Sequence, residues 1–265
     1  MIRRITLVLV LLTSCLSLAE KRAKPNPLPS AAELAAITAR GRNLAEYDVA
    51  AWHSSDAVVA LKPDKTLSPF YIARKTANGW EVAFGRLSES QDRFLIVYQA
   101  TQGATPIEFT VKKPDPPVED RGFYLAAAKA IGTASRDLGK PGRAYNTYAI
   151  PAESGQLYVY LLPAQTVDGI YPLGGDVRYT VTPDGSEITE KRQMHKTILD
   201  FDMNDKSGKI KKMEAGFHTH VLSDVPEDSD VFYVLSRKPL IPEYIGTMDK
   251  KIFVVQVDGT ILIGK

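Results

Sequence analysis

Two of the chain's four histidines, His218 and His220, stand one residue apart in "GFHTHVLSDVPEDSDVF", with an acidic run close behind them. Side chains alternate along a strand, so a strand here turns both imidazoles to one face and lets them share a metal ion. Catalytic zinc usually takes three protein ligands and keeps a position open for water. Asp224, Asp228 and Asp230 are the candidates for the third ligand. Asp230 is preferred, because a residue opening the next helix is held rigidly and faces back to the strand end. His195, in "EKRQMHKTIL", completes an all-histidine triad if its strand lies beside that of His218. Its competing reading is a polar cross-strand residue. For the pair itself the alternative is a strand end whose imidazoles hydrogen-bond to Asp224 or Asp228. His53, next to Trp52, reads as a surface or boundary residue.

The same stretch resembles the signature of the JAMM metalloprotease fold family. That signature places His-x-His at a strand end, then a loop, then Pro-Ser-x-x-Asp opening a helix. "VPEDSDV", residues 225–231, resembles its second part. The resemblance implies zinc on His218, His220 and Asp230. It also implies a glutamate before an early strand acting as general base on the zinc water, a description that Glu153 in "AESGQLYVYLL" fits, with Glu227 as the default. Two departures are visible. Glu227 stands where the family has the serine that stabilises an oxyanion, and a carboxylate there repels developing negative charge. The loop from His220 to Asp230 is also one residue short of the family's spacing.

The elements that must position these residues are readable in outline. Ser30 caps an alanine-rich stretch with helical spacing, read as one or two helices with a candidate break at Gly41–Asn43. "FYIARKTA", "GWEVAFGRL", "RFLIVYQAT" and "IEFTVKK" are strand-like, and Asn78-Gly79 is a strong hairpin signal. The proline-rich "KPDPPVED" is the expected domain boundary. Beyond it come a helix ("GFYLAAAKAIGTASRDL"), strands at "AYNTYAI", "GQLYVYLLPA", "DVRYTVT" and "EITEKRQMHKTILDF", then the His-x-His strand. A helix begun by Ser229 or Asp230 as N-cap and a closing hairpin around Asp258-Gly259 follow. The expected class is α+β. Residues 30–117 form an N-terminal helix with a small antiparallel sheet, and 118–265 an α/β/α JAMM-like domain with a mixed sheet. "YPLGGDVRY" reads as a tight glycine turn with an Asp-x-Arg pair. No Gly-x-Ser-x-Gly elbow occurs, which argues against a serine hydrolase.

The N-terminus has the order of a secretory signal: basic "MIRR", apolar "ITLVLVLL", then small residues. Cleavage after Ala19 gives residues 1–19 as the leader and 20–29 as a linker. "LTSC", Leu12 to Cys15, also resembles a lipobox that would make Cys15 a lipid anchor. Cys15 is the chain's one cysteine, so no disulfide or cysteine nucleophile is available. Lys and Arg number 33 against 31 Asp and Glu, and losing Arg3 and Arg4 with the leader balances them. That balance offers no general attraction for nucleic acid. The expectation is an exported protein, periplasmic, lipid-anchored in the outer membrane or secreted. It would carry zinc and act on an unidentified peptide or envelope substrate, or serve as a non-catalytic binding or scaffold protein.

Overall fold

The computed structural model describes residues 27–64, 67–204, 207–208 and 212–264. The expected leader and Cys15 lie outside them. The chain is α+β throughout. Helix α1 (Ala31–Val59) starts as its sequence requires: the Ser30 hydroxyl accepts from the Glu33 amide at 3.2 Å, and the Ser30 amide donates to the Glu33 carboxylate at 2.8 Å. It runs unbroken through Gly41. A Cβ there would collide with Val231 Cβ and the Asp228 carbonyl, so Gly41 is a point of close helix approach and not a break.

Strands β1 (Phe70–Thr76), β2 (Gly79–Leu87), β3 (Phe94–Gln102) and β4 (Phe109–Lys112) form an antiparallel sheet in chain order. β5 (Val118–Asp120) adds to β3. The β1–β2 turn falls at Asn78-Gly79, with Thr76 paired to Gly79. After α2 (Phe123–Leu138), strands β6 (Tyr145–Pro151) and β7 (Leu157–Pro163), β8 (Ile170–Leu173), β9 (Val177–Val181) and β10 (Ile188–Gln193) follow. The second sheet has the order β10-β9-β7-β6, while β8 pairs with β11 (Leu199–Asp202).

Both faces of these two sheets are buried, and alternation assigns each residue its side. Ala73, Val82, Phe84, Tyr148, Ile150, Tyr160 and Leu162 pack with Leu44, Tyr47 and Ala50 of α1. Ile72, Ala83, Phe94, Ile96, Ala149, Val159 and Leu161 pack with Tyr124, Ala127, Ala128 and Ile131 of α2. The two sheets therefore act as one layer between two helices. The boundary expected at Val118 passes through both cores, because each draws residues from either side of it.

The last part is a βαβ unit extended by a hairpin. β12 (Gly216–His220) runs parallel to β13 (Glu243–Thr247), and α3 (Asp228–Ser236) connects them. β14 (Ile252–Val255) and β15 (Ile261–Ile263) complete the sheet. Val231 and Val234 of α3 pack on Ile245, Phe253 and Val255 beneath them and on Leu34 and Ile37 of α1. The N-cap of α3 is Glu227, not Ser229 or Asp230. The helix begins one residue after Glu227, whose amide donates to Asp230 Oδ2 at 2.7 Å, the return half of a capping box.

Candidate metal centre

His218 and His220 are buried while Phe217 and Thr219 between and beside them are exposed, as one strand face requires. Across from them, Asp230 projects from the first turn of α3 and is fully buried. His195 arrives from elsewhere. The stretch "EITEKRQMHKTILDF" is two strands in different sheets, and His195 lies in the connection between β10 and β11, not on a strand beside β12. The Met194 amide donates to the Asp176 carbonyl at 3.1 Å, which turns the chain there. Gly174 has φ +88, and a Cβ on it would strike the Thr197 carbonyl and crowd His195 Cβ. The "LGGD" turn thus shapes the bed on which the His195 loop lies.

The ligand atoms of His195, His218, His220 and Asp230 all lie within 4.8 Å of one another, and all four residues are buried. His220 Nε2 is 2.8 Å from His195 Nε2 and 3.1 Å from His218 Nε2. Asp230 Oδ1 is 3.2 Å from the Nε2 atoms of His195 and His218, and Oδ2 is 3.2 Å from that of His220. Each ring is oriented from behind by a different acceptor. His220 Nδ1 donates to the Val225 carbonyl at 2.9 Å. His195 Nδ1 lies 2.8 Å from Asp176 Oδ1, and His218 Nδ1 3.0 Å from Glu243 Oε1. Ionised carboxylates and carbonyls only accept, so the proton of each neutral ring sits on Nδ1 and the Nε2 lone pairs converge.

Converging lone pairs need a positive charge between them. Tetrahedral zinc, with bonds of about 2.0–2.1 Å to nitrogen, holds its ligand atoms about 3.3 Å apart. Five contacts of 2.8–3.2 Å are already near that spacing, and all the ligand atoms lie within 4.8 Å of one another. Asp230 Oδ1 is buried and accepts no hydrogen bond, although two imidazole nitrogens stand beside it. Charge points the same way. Asp176, Asp230 and Glu243 are buried against one guanidinium, Arg237, whose Nη1 donates to Glu243 Oε2 at 2.7 Å. The group carries two uncompensated negative charges with neutral imidazoles, matching one divalent cation.

Protons take up that charge in the metal-free chain. Burial pulls the His195 imidazole down, but Asp176 and Asp230 outweigh it and push it up to about 11. Burial likewise opposes protonation of His218, and Asp230 and Glu243 raise it to about 9. Burial works to raise the Asp230 carboxyl, and the surrounding histidines hold it well below the usual range.

The carboxylates expected to activate water are placed otherwise. Glu153 is exposed in the turn between β6 and β7, beyond Leu157, whereas the cluster adjoins the other end of β7 near Leu162 and Pro163. Glu227 is buried and held by Arg192 through two hydrogen bonds, at 2.9 and 2.7 Å. Asp228 is paired with Arg40 and Arg178 and accepts from the Tyr160 hydroxyl at 2.8 Å. His53 stacks on Trp52, away from the cluster. Sequence spacing gives Asp176 only as part of an Asp-x-Arg pair and gives Glu243 and Arg237 no place at this site. The "GGD" turn was the local sign of Asp176, while Glu243 gives no sign before β13 is paired with β12. Comparison with known proteins supplies no relative: no protein-family model matches the chain, and no curated protein or solved structure is similar to it.

Proposed function

We propose that this chain is a metal-binding protein that holds one divalent transition metal, zinc first among them, on His195, His218, His220 and Asp230. The observation that carries this reading is the convergence of three Nε2 atoms and one carboxylate, each ring oriented by its own acceptor. Four protein ligands are the set of a closed zinc site, in which the metal fixes structure by tying together segments far apart in the chain. Here it would join the β10–β11 connection, β12 and α3. The JAMM-type resemblance concerns the same His218, His220 and Asp230, with His195 supplying a fourth ligand where that family leaves a position for water. Following its N-terminal sequence, we place the protein outside the inner membrane. Fractionation and palmitate labelling of the wild type against Cys15→Ser test that placement.

Metal analysis of protein expressed with ample zinc tests the centre. About one equivalent is expected, lost in His218→Ala and kept in His53→Ala; less than about a tenth of an equivalent in the wild type refutes the proposal. A second reading, a zinc-dependent hydrolase of amide bonds, draws on the position of His195 in a connecting loop, since its release would leave the three-ligand set of a catalytic site. His195→Ala separates the readings: retained metal with peptide hydrolysis supports the enzyme, and lost metal or no hydrolysis supports the closed site.

A further inference from the structure

A cleft of about 390 Å³ lies where α1 crosses the seam between β1 and β6, and none of its lining residues belongs to the metal centre. Asp48, Trp52 and Ser55 of α1 line it with Tyr71 of β1, Asn146 of β6 and Gln165. It contains no basic side chain. Elsewhere on α1, Arg40 pairs with Asp228, Arg42 with Asp258, and Glu46 with Lys75. Among the described residues Asp48 has no cationic partner. Its Oδ1 accepts from the Tyr148 hydroxyl at 2.7 Å, and that phenol is itself buried against Tyr47. Burial, only partly countered by this hydrogen bond, holds the Asp48 carboxyl above the ordinary range. Asp48 is half-buried in the cleft wall, and a carboxylate partly withdrawn from water without a counter-charge gains when a cation reaches it.

Trp52 stands beside it, 56% exposed despite its size, with His53 stacked on one face at 4.8 Å between ring centres. An indole face near an unmatched carboxylate is the combination that recognises ammonium groups. We infer that this cleft binds a small organic cation, its ammonium group seated between the Asp48 carboxylate and the Trp52 ring. Asn146, Gln165, Ser55 and Tyr71 offer neutral oxygens for the remaining N–H donors or for the body of the ligand. A neutral sugar would use the ring and the amides but would leave the charge of Asp48 unmatched, so the carboxylate favours the amine. This assignment is independent of the metal, and His218→Ala is expected to leave it intact.

The test uses the purified full chain with cadaverine as probe and the N-acetylglucosamine trimer as comparison. Of the two tryptophans Trp80 is buried, so a ligand-induced change in fluorescence reports on Trp52. Cadaverine is expected to saturate that signal. By calorimetry, Asp48→Asn should weaken binding roughly tenfold or more, as loss of a charged hydrogen bond implies, and Trp52→Ala should abolish it. Asparagine keeps an acceptor for Tyr148, and Trp52 is exposed, so both variants should unfold at the wild-type midpoint. If Asp48→Asn does not, salt takes its place: binding must weaken as the screening length falls from about 30 Å to about 8 Å. No saturation by cadaverine up to about 10 mM, which is weaker than about 3 kcal/mol of binding, overturns the inference. So does undiminished binding in Asp48→Asn, insensitivity to salt, or saturation by the sugar alone.

Discussion

Three imidazoles whose Nε2 atoms face one another make metal and proton compete for the same lone pairs. In the metal-free chain His195 is pushed up to about 11 and His218 to about 9, against about 6.5 in an unfolded chain. A raised folded value contributes stability below about pH 6.5, which is lost as pH rises through 9 to 11. Metal binding has the opposite slope, since each proton removed from a ligand favours the metal. The rise in unfolding temperature on adding zinc should therefore be larger at pH 8 than at pH 6. Differential scanning calorimetry at the two pH values checks this, and an equal or smaller rise at pH 8 contradicts it. Residues close in sequence were the legible part of this site. His218, His220 and Asp230 fall within one strand, loop and helix start, and alternation with helix geometry is enough to relate them. Asp176 and Glu243 act only through chain pairings that no local spacing records. His195 was legible as a candidate, but the expected strand–strand neighbourhood was the wrong route to it.

At the scale of elements, the position of Asp230 depends on how closely α1 approaches α3. Gly41 sits at that crossing, where any Cβ would meet Val231 and the Asp228 carbonyl. Gly41→Ala should destabilise the fold by about 1–3 kcal/mol, as overpacking of a tight contact does. The same variant should bind zinc more weakly, because a displaced α3 carries Asp230 with it. Chemical denaturation and a zinc competition titration measure the two effects, and an unchanged midpoint refutes the packing argument. Glycine near the middle of a helical pattern is ambiguous in sequence, since a break and a close crossing require the same residue. Strands are legible where both faces or one face alternate cleanly, as in β2, β6 and β7. "EITEKRQMHKTILDF" read as one strand because Met194 to Ile198 contains neither glycine nor proline to mark the turn. The turn is imposed by hydrogen bonds from the distant "GGD" segment.

Across the whole molecule, the two sheets share their cores with both α1 and α2, and α1 also covers α3 and the C-terminal sheet. Residues 118–265 alone would expose Tyr148, Ile150, Tyr160 and Val231, which pack with α1, to water. That fragment should lack a cooperative unfolding transition and take up no zinc, whereas the full chain should unfold in one transition by circular dichroism and fluorescence together. Independent folding of the fragment would refute the shared-core description. The α+β class was legible because element types follow from local pattern. The merging of two sheets into one layer was not, because β1 and β6 abut through side chains without a hydrogen-bonded register.

Asp230 closes the ligand set with a carboxylate that also receives the Glu227 amide at the start of α3. An ion entering this centre therefore meets a carboxylate already held in place by the helix's own first turn. Little ordering of Asp230 opposes binding, so preorganisation on the α3 side is the property this arrangement favours.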